Sequence, residues 1–212
     1  AKSVVTVRLV VKERWIFEGM EDDSSEYAAE TTGFVVASDG TVVTSLSATD
    51  PEVMYARWFD DDDGFQIKTE MTSLTVIYDD GQEQDASVVL RDRDLDLIFI
   101  RPDEHEESPP AVALGTAGDV RPFDQVVRLA RAANTLRRIC GGQIARIEAT
   151  VNKPRKLFAA GGSEGSLGAP VFTLDGHLLG MTAMRQLQKA ASSERGSWSS
   201  PIEDFTIVVV PA

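Results

Sequence analysis

Three Asp-Gly pairs, Asp39-Gly40, Asp80-Gly81 and Asp175-Gly176, each sit between apolar runs: "FVVASDGTVVTS", "LTVIYDDGQEQDASVVL" and "PVFTLDGHLLGM". Asp-Gly reaches the positive φ that a tight β-turn needs, so each stretch reads as strand, turn, strand. This pattern commits much of the chain to antiparallel pairing. The other apolar runs are equally rich in β-branched residues: "SVVTVRLVV" (3–11), "LDLIFIRP" (95–102), "DQVVRLARA" (124–132), "GGQIARIEATV" (141–151) and "FTIVVVPA" (205–212). Few segments hold a helical period. "SATDPEVMYARW" (47–58) offers one turn, with Asp50 as N-cap and Pro51 at the first helical position. The spacing of turns predicts an all-β sandwich or barrel.

The chain has 212 residues, which suits one large all-β domain or two small ones. Two half-chains of about six strands each would meet near residues 103–122, at the acidic, proline-marked "DEHEESPPAVALG". Three longer segments read as loops on this scaffold: an acidic one at 12–30, a second at 49–72 carrying Asp60–Asp63, and a polar, Ser-rich third at 185–204. Long loops on a rigid β scaffold are where binding usually sits. The chain starts with Ala and shows no signal-peptide pattern, as expected of an excised segment.

Charge and composition narrow the function classes. A net charge of −13 argues against nucleic-acid or anionic-membrane binding. No run of eighteen apolar residues exists to span a bilayer as a helix. The single cysteine, Cys140, excludes an internal disulfide and a multi-cysteine metal site. Between Arg121 and Lys156 the sign reverses, with nine bases (Arg128, Arg131 and Arg146 among them) against Asp124 and Glu148. The plain reading is a set of solvated basic faces; the functional one is a surface for an acidic partner.

Several motifs fail on inspection. "DDDDG" (60–64) lacks an acid at the first calcium-ligand position, where Phe59 stands, and has no flanking helices. "GGSEG" (161–165) spells G-x-S-x-G, but a hairpin follows instead of a helix. His105 and His177 lie in an acidic loop and beside a hairpin turn, and read as exposed surface residues. Two histidines could meet at a metal, but no partner acids at metal-site spacing stand out. No cofactor is implied.

The order "TTGFVVASDGTVVTSLSA … LDLIFIRP … GDVRPFDQVVRLA … GGQIARIEATV … GSLGAPVFTLDGHLLGM … FTIVVVPA" resembles the trypsin-like serine proteases, most of all the bacterial high-temperature-requirement (Deg-type) branch. The similarity runs over nearly the whole chain. It implies a single trypsin-like domain over 1–212, made of two six-stranded antiparallel β-barrels, 1–105 and 106–212, with a cleft between them. That family cleaves peptides with a Ser nucleophile, a His base and an Asp that orients the His. The family's V-T-x-x-H-V run matches "VVTSLSA", where Ser47 replaces His. Its T-D-L-A-L-L run matches "LDLIFI", which keeps Asp96. Its G-N-S-G-G-P-L run matches "GSLGAPV", where Leu167 replaces Ser.

Leu has no nucleophile, and a Ser hydroxyl holds its proton too tightly to act as a base near neutral pH. The resemblance therefore implies a degenerate triad at Ser47, Asp96 and Leu167, with the amides of Gly165 and Leu167 left as a vestigial oxyanion hole. Asp96, deprived of its partner, is expected to hydrogen-bond Ser47 or a water. Three readings follow. One is an inactive homologue that binds a protein or peptide. Another is a hydrolase with a non-standard site, for which Ser166 with a Lys base is the candidate, although no Lys stands in a motif that would place it. The last is a structural domain of a longer, PDZ-containing chain. The resemblance also implies an extracytoplasmic location.

Overall fold

The computed structural model describes residues 2–17, 20–50, 52–53, 65–103, 109–115, 119–132, 136–152, 155–161, 166–186 and 205–212. Twelve strands run in chain order. The first six are β1 (Val4–Phe17), β2 (Met20–Val35), β3 (Val42–Ser45), β4 (Phe65–Ile77), β5 (Glu83–Asp92) and β6 (Leu97–Pro102). The second six are β7 (Gln125–Ala132), β8 (Leu136–Val151), β9 (Leu157–Ala160), β10 (Pro170–Thr173), β11 (Leu178–Gln186) and β12 (Phe205–Pro211). They close into two antiparallel barrels, β1-β2-β3-β6-β5-β4 and β10-β11-β12-β9-β8-β7. The three Asp-Gly pairs turn as expected, with Gly40, Gly81 and Gly176 at φ of 79°, 86° and 88°.

The continuous apolar runs have a physical reason. Strands facing the partner barrel bury both faces, so alternation disappears. Val35, Val42, Ile98 and Ile100 point into the first barrel's core. Their strand neighbours Phe34, Val43, Leu97 and Phe99 pack outward against Leu178, Met181, Val208 and Val210 of the second barrel. Val209 points the other way, into the second core with Ile147, Phe158 and Val171. Burying side chains of this size stabilises by about 1.5–3 kcal/mol each, so the inter-barrel layer is as much a core as the barrel interiors.

The first expected loop is almost entirely strand, and the described end of the second, residues 65–72, is strand as well. Residues 12–17 and 20–30 continue β1 and β2 as a long ladder, from Val4↔Phe34 to Phe17↔Met20. Residues 65–72 belong to β4, which pairs along the other side of β1 out to Phe17↔Phe65. The three strands form a ribbon that extends the sheet. Three of its acids lie opposite bases, in Lys12↔Glu26, Arg8↔Glu30 and Lys12↔Glu70. Tyr27 and Ala29 meanwhile pack toward the core. Glu13 is buried, and the Tyr27 hydroxyl donates to it at 3.2 Å. The strand β9 was not expected; four residues are too few to show a period. Glu52 and Val53 adopt helical backbone, and Asp50 Oδ1 accepts from the Thr69 hydroxyl at 3.0 Å. Asp60–Asp63, His105 and nearly all of 185–204 lie outside the described residues.

Candidate functional site

The site is built around Asp96, which is fully buried at the turn into β6. Its φ is 60°, the left-handed region that Asp tolerates better than most residues. That backbone aims the carboxylate at the end of β3. There Ser45 Oγ donates to Oδ2 at 2.7 Å, and Ser47 donates to Oδ1 twice, from its amide at 2.7 Å and its hydroxyl at 2.6 Å. A fourth donor, the Met184 amide, reaches Oδ2 across the barrel interface at 2.8 Å. Each carboxylate oxygen thus accepts two hydrogen bonds, so the buried group is fully satisfied. Ser47 itself is buried.

Sequence reading linked Ser47 and Asp96 but missed Ser45. Ser45 ends β3 and Ser47 sits in the turn that follows, so strand alternation alone could not place both serines on one carboxylate. Met184 could not be found from sequence, because it contributes only its backbone amide.

The bend before β10 docks on the same strand end. The Leu167 carbonyl accepts from Thr31 Oγ1 at 3.1 Å. Gly168, at φ 78°, lies so close to the first barrel that an added Cβ would sit 2.2 Å from both Thr32 O and Thr44 Oγ1, and 3.1 Å from the Ser45 amide. Thr182 of β11 fixes the bend from behind. Its carbonyl accepts from the Gly168 amide at 2.9 Å, its hydroxyl accepts from the Ala169 amide at 3.0 Å, and that hydroxyl donates to the Ser166 carbonyl. Ser166 and Leu167 are both half-buried. Gly165, the other amide expected beside Leu167, lies outside the described residues, as does most of "GGSEG".

A second tie joins the barrels nearby. Arg131 of β7 is buried, and its guanidinium donates to the Val4 carbonyl from Nε at 2.8 Å and to Asp79 Oδ1 from Nη1 at 2.8 Å. Its amide donates to Thr32 Oγ1 at 3.0 Å. Arg128 is buried as well, and desolvation lowers its pKa. These two arginines therefore leave the solvated basic faces expected of the 121–156 span. Arg121, Arg146, Arg155 and Lys156 stay exposed.

The other candidates are peripheral. His177 is exposed on its hairpin, 3.5 Å from Asp175. A hydrogen bond from Thr173, helped by the charge of His177, lowers the Asp175 pKa. Cys140 is half-buried, and desolvation raises its thiol pKa, opposed by the charge of Arg131. Among the described residues no cluster of three metal-ligating side chains occurs. A cavity of about 230 Å³ lies between the barrels, lined by apolar groups including Phe34, Phe99, Leu178 and Met181, and Ser45, Ser47, Asp96 and Leu167 are not among its lining residues.

Comparisons with known proteins agree with this architecture. A search of curated protein sequences found no match. Among solved structures, the chain is similar to one described as the HtrA-type protease AlgW with tripeptide, at 16% identity and a TM-score of 0.61. The match covers all of this chain but 56% of the AlgW chain, so this chain spans little more than half of that relative. It is also similar to the MamO protease domain from Magnetospirillum magneticum in its apo form, at 15% identity and a TM-score of 0.56, over 85% of this chain and 83% of that one. Identities this low speak to fold alone. Residues 31–181, however, match the family model described as the trypsin-like peptidase domain. That span contains Asp96, both serines that cage it and the bend at Leu167, and on it the chain belongs to the trypsin-like peptidase family.

Proposed function

We propose that this chain is a proteolytically inactive trypsin-like domain that serves as a protein- or peptide-binding module. One observation carries the reading: the Asp96 carboxylate is sealed by Ser45, Ser47 and the Met184 amide. Proteolysis of this type needs a carboxylate turned to an imidazole, and an imidazole turned to a hydroxyl. Here Ser45, Ser47 and the Met184 amide together take the carboxylate's hydrogen-bonding capacity, and Leu167 stands in the bend that would carry the nucleophile. No proton acceptor and no attacking oxygen remain in those roles.

A retained trypsin-like frame without the chemistry supports binding over turnover. The AlgW structure contains a tripeptide, and an extended peptide held by a similar frame is the ligand class assigned to this chain. The same resemblance supports an extracytoplasmic location, which cell fractionation checks. For catalysis, digestion of a denatured protein substrate is followed for the wild type and for Ser166→Ala. The expected result is no cleavage above the blank for either. Turnover by the wild type that is lost in Ser166→Ala would overturn the reading and establish a hydrolase with a displaced serine. For binding, selective capture on a peptide array supports the module, and a uniformly blank array counts against it.

A further inference from the structure

The apolar layer between the barrels does not close completely. A cavity of about 230 Å³ remains in it. One wall comes from the first barrel, with Phe34 of β2, Val43 of β3 and Phe99 of β6. The other comes from the second barrel, with Leu178 and Met181 of β11. Each wall belongs to a barrel closed by its own ladder, so neither can shift far enough to fill the gap. Leu114, 63% exposed, and the exposed Ala212 mark the side that opens to solvent. Two backbone bonds hold that rim. The Val112 amide donates to the Val35 carbonyl at 2.8 Å, and the Ala212 amide donates to the Leu179 carbonyl at 3.2 Å.

The lining selects a chemistry. None of its twelve residues carries a polar or charged side chain. Water settles in a cavity that offers it about two to four polar partners, and these side chains offer none. An apolar cavity of about 150 Å³ stays dry and admits benzene, so 230 Å³ has room for one ring and a short substituent. The rings of Phe34 and Phe99 and the Met181 sulfur favour an aromatic guest, through ring–ring and sulfur–ring contacts. A charged guest would lose its hydration without gaining a partner. A peptide would bring amides to side chains that cannot bond them.

We propose that this cavity binds a small neutral aromatic molecule, one ring with a short apolar substituent, at a place separate from the cage and the bend. The site stands whether or not the chain binds peptides. Its guest touches β3 and β6 on one side and β11 on the other, and so bridges the two barrels. The same strands lead into the cage. Val43 and Ser45 share β3, Leu97 directly follows Asp96, and Met181 adjoins Thr182, which fixes the bend from behind. A molecule that binds only the paired barrels stabilises that pairing.

Toluene tests the site, added to the intact chain with isotope-labelled methionine methyl groups and followed by nuclear magnetic resonance. The Met181 methyl resonance should shift under the ring current and saturate, with half-saturation at about 1 mM, the affinity expected from burying one ring. Met71, which packs on the first barrel's core, should not move. Benzoate puts a charge on the same ring, and N-acetylphenylalaninamide puts the ring on a peptide backbone. Neither should shift Met181 at equal concentration. Val36→Phe fills the cavity from its own lining and should abolish the response. Leu114→Asp sets a charge at the exposed rim and should weaken binding about three- to tenfold. Circular dichroism monitors folding, and Leu114→Asp decides the matter should Val36→Phe unfold. An unmoved Met181 resonance, equal movement of Met71, an equal response to benzoate or to the peptide analogue, or unchanged binding by a folded variant would each overturn the proposal.

Discussion

Asp96 is a buried carboxylate with four donors aimed at it, and that geometry predicts an ordering of two substitutions. Asp96→Asn puts an amide NH2 against groups that can only donate, or whose protons are already aimed inward, at an expected cost of about 2–4 kcal/mol. Ser47→Ala removes one hydroxyl and leaves the Ser47 amide on the same oxygen, at about 1 kcal/mol. Urea-unfolding midpoints for the two variants check the ordering. Equal losses would mean that the hydroxyl, and not the carboxylate, organises the cage. The pairing of Ser47 with Asp96 was legible from sequence, because "LDLIFI" and "VVTSLSA" sit in recognisable surroundings, whereas the part played by Ser45 was not. The Met184 amide was not, since any residue type can supply a backbone N–H.

The bend from Ser166 to Ala169 is an element fixed by backbone more than by side chains, and Gly168 is its pivot. A methyl there meets positive φ and a carbonyl oxygen 2.2 Å away, so Gly168→Ala should cost about 3 kcal/mol or more. Gly176 has a larger φ, 88°, but open space around its Cβ position. Gly176→Ala should cost only about 1 kcal/mol. Thermal unfolding of the pair separates crowding from backbone preference; similar losses would remove the close docking of the bend from the account. The turns at Gly40, Gly81 and Gly176 could be read from sequence because Asp-Gly carries its own conformational preference. The β1–β2–β4 ribbon could not. Its acids resemble a solvated loop, and the pairing that makes them a strand depends on partners such as Lys12 and Arg8 on another strand.

Across the whole molecule, the barrels are held by an apolar layer and by Arg131. The second Arg in "VVRLARA" reads as a solvated charge, yet its side chain is 1% exposed and spans from β7 to Val4 and Asp79 of the other barrel. Only the paired barrels create that environment, so no local pattern could disclose it. Arg131→Met keeps the bulk but leaves the Val4 carbonyl without this donor, at an expected cost of about 2–3 kcal/mol. Denaturant unfolding measures it, and an unchanged midpoint would rule out the strut. The same two barrels frame the bend at Leu167 and the cage at Asp96, where the central claim of lost proteolysis is decided. Intact-protein mass after treatment with a serine-directed phosphonate tests that claim most directly. The account predicts no covalent adduct on the wild type. A stoichiometric adduct that disappears in Ser166→Ala would contradict it.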